Sequence, residues 1–178
     1  MDEDDVLMER AKGGDTVAFD AIVRRHQDRL QRFAIRMAGG DPAKGADVAV
    51  GAFLRLWESR QTYRPQGRLG AWLLQTAYRQ LIDEARRARP TDDLDKAVDP
   101  MEGPQVRIER TAQAQAVRDA VAALPEIHRA VVVLSVYEDL TQSEIAEILE
   151  IPAGTVASRK AHALDTLRRR LAAWSEPL

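Results

Sequence analysis

Apolar positions recur at helical spacing along most of the chain, and the breaks between these stripes fall at glycine and proline. Asp4 to Lys12 reads as a short helix closed by Gly13-Gly14. Asp15 is placed to cap a long helix from Thr16 to Met37, striped by Phe19, Ile22, Val23, Leu30, Phe33, Ala34 and Met37. Gly39-Gly40 stops it. Asp41-Pro42 then supplies a cap and a first-turn proline for a third helix, reaching about Arg60 and containing Val50, Phe53, Leu54 and Trp57. After a loop from Gln61 to Gly67, a fourth helix runs from about Leu69 to Arg89. It turns Trp72, Leu73, Ala77, Leu81 and Ile82 inward, and Pro90 ends it.

The pattern breaks between Pro90 and Pro104, where PTDDLDKAVDPMEGP holds three prolines, a glycine and five acids against one lysine. This reads as an acidic linker, able to span about 50 Å when extended. Beyond it, Gln105 to Ala123 forms an Ala-rich amphipathic helix, and Pro125 opens another through Val131, Val132, Leu134 and Val136. Leu140 to Leu171 then reads as helix, tight turn and longer helix. Thr141 and Glu144 have the spacing of a capping box, Ile145, Ala146 and Leu149 give one apolar side, and Ile151-Pro152 closes the first helix. The second has Val156, Ala163, Leu164, Leu167 and Leu171 on one side, and Thr155, Ser158, Arg159, His162, Arg168 and Arg169 on the other. A short capped helix, a turn and a basic second helix have the shape that enters a DNA major groove. The expected fold is all-α: two small helical domains, residues 1–89 and 105–178, joined by the acidic linker 90–104, the second ending in a helix-turn-helix.

Composition narrows the function classes. With 45% apolar and 30% charged residues, the 178-residue chain has the make-up of a soluble folded protein. There is no cysteine, so disulfides and Cys-based metal centres are excluded, and His26, His128 and His162 show no metal-ligand spacing. The expectation is therefore no cofactor and no metal. Nor do the acids and histidines form a nucleophile–base constellation, so an enzyme is not expected. The acidic start MDEDDVLMER lacks a signal-peptide core, and no run reaches the roughly 20 apolar residues of a membrane span. A cytoplasmic protein without membrane insertion follows.

The net charge of −2 would not suit a free-standing DNA binder, but the charge is unevenly distributed. Between Gln61 and Arg89, six arginines (64, 68, 79, 86, 87 and 89) face only Asp83 and Glu84. Clustered guanidiniums suit a phosphate backbone, where neutralisation releases counterions, and Tyr63 in the preceding loop suits an unpaired base. From Thr155 to Arg170, Arg159, Lys160, Arg168, Arg169 and Arg170 face only Asp165. Trp57 and Trp72 fall on apolar stripes and read as core. Phase turns Lys160 toward the core edge with its stem buried.

The run LPEIHRAVVVLSVYEDLTQSEIAEILEIPAGTVASR resembles the C-terminal DNA-binding domain of extracytoplasmic-function (ECF) sigma factors, the promoter-reading subunits of bacterial RNA polymerase. Leu124-Pro125-Glu126, Glu144-Ile145-Ala146, Gly154-Thr155-Val156 and Ser158-Arg159 carry the resemblance. A second stretch, Asp47 to Arg89, is similar to the family's other domain. Asp47 with Phe53-Leu54-Arg55-Leu56-Trp57 matches the helix that docks on the polymerase clamp. Tyr63-Arg64-Pro65, Ala71-Trp72-Leu73, Ala77, Ile82-Asp83 and Arg86-Arg87 match the segment that opens and reads the downstream (minus-ten) element. The resemblance implies polymerase binding by Asp47, Phe53, Leu54 and Trp57. It implies downstream-element contacts by Tyr63, Arg64, Arg68, Arg79, Asp83, Arg86, Arg87 and Arg89, and upstream-element contacts by Thr155, Ser158, Arg159, Lys160 and His162. The partners it implies are core RNA polymerase, promoter DNA and an anti-sigma factor.

The sequence also departs from the family. Val50-Gly51 replaces a Gln-Glu pair, Arg79 an asparagine, Ala157 a basic residue and His162 an arginine, and Glu150 stands where the turn often has glycine. These departures leave an alternative open, a sigma-like decoy that binds an anti-sigma regulator without directing transcription. A free-standing helix-turn-helix regulator would leave the first domain without a purpose.

Overall fold

A computed structural model describes residues 2–64, 66–88 and 112–172, and among these every regular element is helical. Arg89, the acidic stretch 90–104 and the start of the helix expected at Gln105 lie outside the described residues.

The N-terminal half contains α1 (Glu3–Lys12), α2 (Thr16–Met37), α3 (Pro42–Ser59) and α4 (Leu69–Ala88). The expected caps form. Asp15 accepts from the N–H groups of Val17 and Ala18, both at 3.0 Å, and Asp41 from those of Ala43 and Lys44 at 3.0 and 3.1 Å. Each satisfies two donors that the first helical turn leaves unpaired. The other helices gather on α2, and Met8, Ile22, Leu30, Phe33, Val48, Leu56, Leu69, Leu73 and Leu74 are sealed between them. Two buried acids of α1 make polar ties. Asp4 lies 2.7 Å from the His26 ring, and Asp5 accepts from the N–H of Gly67 at 3.1–3.2 Å, holding the loop before α4 against α1.

The C-terminal half contains α5 (Ala112–Ala122), α6 (Glu126–Val132), α7 (Gln142–Leu149) and α8 (Ala153–Arg170). Helix α6 is its axis, with Ala130 to Leu134 buried without interruption. It runs into a π-helical turn over Val133–Tyr137, and the wider winding carries Val136 to the surface, 58% exposed, off the apolar side its spacing suggested. The capping box closes on α7: the Glu144 N–H donates to the Thr141 hydroxyl at 3.3 Å and the Thr141 N–H to the Glu144 carboxylate at 2.8 Å. The turn into α8 passes through Glu150 at φ 55°, ψ 44°, so a side chain other than glycine occupies the left-handed region there.

The sequence reads as two units on a tether, and the structure packs them side by side. Helix α2 meets α5, α6 and the π turn, and α4 meets α7. Arg129, only 4% exposed, bridges the halves by donating to the Met37 carbonyl at 2.7 Å and to the carbonyls of Ala122 and Leu124 at 2.5 and 2.8 Å.

Candidate nucleic-acid interface

Helix α3 presents Asp47, Val50 and Leu54 on its outer side, the latter two 58% exposed. Beside them a shallow depression is lined by Gly51, Leu54, Arg55 and Glu58 of α3 and by Gln80, Asp83, Glu84 and Arg87 of α4. An apolar pair with a charged rim is the composition of a helix-docking face. The four residues expected to dock divide accordingly. Asp47 and Leu54 stand on the surface, whereas Phe53 is buried. Trp57 is half-buried, edge-on to Phe19 at 4.9 Å and beneath the Arg60 guanidinium at 4.0 Å.

The residues expected at the downstream element do not form one patch. Tyr63 is buried under its loop, edge-on to Trp72 at 6.1 Å, and offers no open ring face in this arrangement. Burial first, then the nearby Asp5, Asp4 and Asp2 carboxylates, push its phenol up to about 12. Arg64 is exposed at the loop tip. Asp83 and Arg87 turn toward α3 and line the depression. Arg68 and Arg79 turn the other way, toward α7, where Arg68 pairs with Glu147 and Arg79 Nη2 sits 2.5 Å from Glu150 Oε1. Gln75, between them on α4, donates to the carbonyls of Glu147 and Ile148 at 3.2 and 3.3 Å.

The recognition-helix residues lie along the first turns of α8, anchored by buried Val156 and Ala163. Ser158 is exposed and donates to the Thr155 carbonyl at 3.1 Å; Thr155, Arg159 and Lys160 are half-buried. His162 is exposed, its ring centroid 4.8 Å from that of His128 on α6. Arg159 lies close enough to Tyr78 of α4 to influence that phenol, which burial raises and the Arg159 charge partly brings back down. The two basic elements, far apart in sequence, thus approach each other across the seam between the halves.

Sequence reasoning missed Gln75, Tyr78, Arg129 and Glu147 as members of this region. Periodicity places such residues on a face but carries no information about a partner from the other half. Glu150 did give a signal, as a bulky acid where a left-handed turn is wanted.

The chain matches the family described as Sigma-70 region 2 over residues 22–91 and that described as Sigma-70, region 4 over residues 114–167. It is 30% identical over 177 residues to the ECF RNA polymerase sigma factor SigW of Bacillus subtilis, covering 92% of this chain and 94% of that protein. The ECF RNA polymerase sigma factor SigL of Mycobacterium tuberculosis is 31% identical over 165 residues, with 90% and 93% covered. Among solved structures, CnrH in complex with the cytosolic domain of CnrY shares the fold at a TM-score of 0.70 and 24% identity, with 97% and 99% of the two chains covered. The sigma factor RpoE, in complex with the anti-sigma factor NepR from Bartonella quintana, superimposes at a TM-score of 0.72 and 20% identity, with 86% and 96% covered.

Proposed function

The chain belongs to the ECF RNA polymerase sigma factors, and on that premise we propose how its surfaces divide the work of promoter recognition. Residues 1–89 form the unit that meets the polymerase and the downstream element, 90–104 the linker, and 105–178 the unit that reads the upstream element. The observation that carries this division is the order of the two matched regions, which follow one another in a chain aligned almost end to end with a curated relative.

Polymerase docking runs through the outer side of α3. Val50 and Leu54 supply apolar anchors, Asp47 a charge at the rim, and Phe53 and Trp57 hold the helix in position from beneath. Downstream DNA is gripped by Arg64, Arg68, Arg79, Arg86, Arg87 and Arg89. Asp83 orients neighbouring cations, and Tyr63 reaches a base once its loop lifts. Upstream DNA is read by Thr155, Ser158, Arg159 and His162, with Arg159 the group best suited to a two-pronged contact with guanine; Lys160 reaches a phosphate from the edge of the helix. The protein works in the cytoplasm beside its polymerase, makes and breaks no bonds itself, and is held in check by an anti-sigma factor. Support for that last partner comes from the two structural neighbours, each solved with a bound protein.

Asp47→Arg tests the docking assignment. Core-polymerase affinity should fall while the helical melt stays in place, because Asp47 is exposed. Trp57→Ala should instead lower the melt, through loss of the Phe19 and Arg60 contacts. Undiminished polymerase binding by Asp47→Arg would mean that another face docks.

A further inference from the structure

Helix α1 precedes the matched region 2, which begins at residue 22, and none of the roles assigned above falls on it. Yet each acid from Asp2 to Asp5 makes a contact. Asp2 accepts from the Glu3 N–H at 2.7 Å, while Glu3 meets Arg25 and Asp4 meets His26, both at 2.7 Å, and the last two fasten α1 to α2. Asp5 reaches the loop between α3 and α4, where its two carboxylate oxygens accept from the Gly67 N–H at 3.1–3.2 Å. At the other end of the helix, the Lys12 carbonyl accepts from the Gln61 side chain at 2.7 Å. The two ends of α1 thus hold the two ends of the loop, and Tyr63 and Arg64 lie between the ties. We propose that α1 braces the base-reading loop and that Asp5 is its positioning residue: by fixing Gly67 it sets where Tyr63 and Arg64 meet the unpaired downstream strand, and so which bases are accepted there. The role of the loop rests on the sigma-factor reading above; the brace itself stands on the contacts.

Three further observations support it. The brace is anchored, because Met8 and Ala11 of α1 are fully buried against the bundle. Asp5 is itself only 7% exposed, and a charged acceptor shielded from water holds an N–H more firmly than an exposed ion pair holds its partner. The loop meets that acceptor at a residue suited to it: Gly67 stands at φ 65°, a left-handed position that glycine takes without strain. Tyr63 is close to the same helix end, since burial and then the carboxylates of Asp5, Asp4 and Asp2 are what raise its phenol. With both flanks tied, a lift of Tyr63 is a pivot between two fixed points rather than a drift of the whole loop. Groups held in this way discriminate between ligands where loosely held ones do not.

Asp5→Ala removes the acceptor, Asp5→Asn keeps an oxygen in its place, and Gln61→Ala removes the tie at the other end. In the free full-length protein, hydrogen exchange at the Gly67 amide should be roughly tenfold faster in Asp5→Ala than in the parent, and near the parent's rate in Asp5→Asn. Holoenzyme is then offered DNA with a randomised duplex upstream element and a randomised, unpaired downstream strand. The ratio of best to worst base at the downstream positions should fall roughly three- to tenfold in Asp5→Ala, fall less in Gln61→Ala and stay near the parent's in Asp5→Asn. Upstream preference and core-polymerase affinity should not change. As a control, Glu9→Gln removes an acid of the same helix that pairs with Lys12, and it should match the parent throughout. Unchanged base selection in Asp5→Ala with the Gly67 amide freed would overturn the proposal. So would an equal loss of preference at both elements, the mark of a bundle that is merely destabilised, or a Gly67 amide already as fast in the parent. If Asp5→Ala does not fold, Gln61→Ala, an exposed position, decides by the same comparison. A parent holoenzyme that selects no base at the unpaired positions would sink the sigma-factor reading of the loop and the proposal with it, and that result is separable because it shows in the parent alone.

Discussion

Gly45 and Gly51 both lie within α3, and the space around them differs sharply. A Cβ on Gly45 would stand 2.8 Å from the Ile35 backbone, because α2 and α3 cross in contact there. A Cβ on Gly51 would meet only the amide end of Gln80, at 2.4 Å, and that end can swing away. Gly45→Ala should therefore cost about 1–3 kcal/mol by overpacking. Gly51→Ala should raise stability by up to about 1 kcal/mol, the helix-propensity difference, less whatever Gln80 loses. Chemical denaturation of the two variants checks the contrast. The sequence marks both glycines as costly to a helix, but only the crossing of α2 and α3 shows which one is required. Tyr63 was legible as an aromatic in a basic loop, and its burial was not, because the acids of α1 that pack near it lie far away in sequence. Its phenol is raised from 10.0 to about 12, so the folded state holds the proton more tightly than the unfolded chain. The stability this gives is complete below pH 10 and is lost as pH rises from 10 toward 12. Absorbance titration should show one tyrosine ionising near 12 and missing in Tyr63→Phe; a midpoint near 10 for that residue would mean that the loop is open in solution.

At the scale of elements, caps and breakers did most of the specifying. Asp15, Asp41-Pro42 and Thr141 start their helices because each offers an oxygen to free N–H groups, or a proline where none is needed, and this chemistry is local enough to read from the chain. The π turn after α6 is different. It depends on how Val133 and Leu134 fit between α7 and α2, and no local signal announces it. The capping box offers a direct check. Thr141→Ala should destabilise the C-terminal half by about 1 kcal/mol. Hydrogen bonds from the Thr141 side chain and backbone hold Glu144 below its ordinary 4.5, so its contribution is present above that pH and lost as the solution is acidified through the lower folded value. Thermal melts from pH 7 downward should show the gap between parent and Glu144→Gln narrowing below about 4.5. A gap that stays constant would mean the carboxylate charge plays no part in the cap.

For the whole molecule, the helical content and the order of the two units were legible because amphipathic stripes and motif order survive in a single sequence. The seam between the units was not. Arg68 and Arg79 read as DNA ligands and Glu150 as a residue standing where the turn often has glycine; that Glu147 and Glu150 meet those arginines is visible only in the folded chain. The departures at Val50, Gly51 and Glu150 do not alter the fold, since α3 and the helix-turn-helix form around them. Directing transcription is the activity from which the other roles follow, and run-off transcription with purified core polymerase on a pool of random promoter sequences measures it directly. Adding the protein should enrich transcripts from templates sharing an upstream and a downstream element at fixed spacing, and Arg159→Ala should relax or shift the preference at the upstream one. No sequence-selective transcript above core polymerase alone, from a protein that still binds an anti-sigma factor, would contradict a promoter-directing role and leave a decoy in its place.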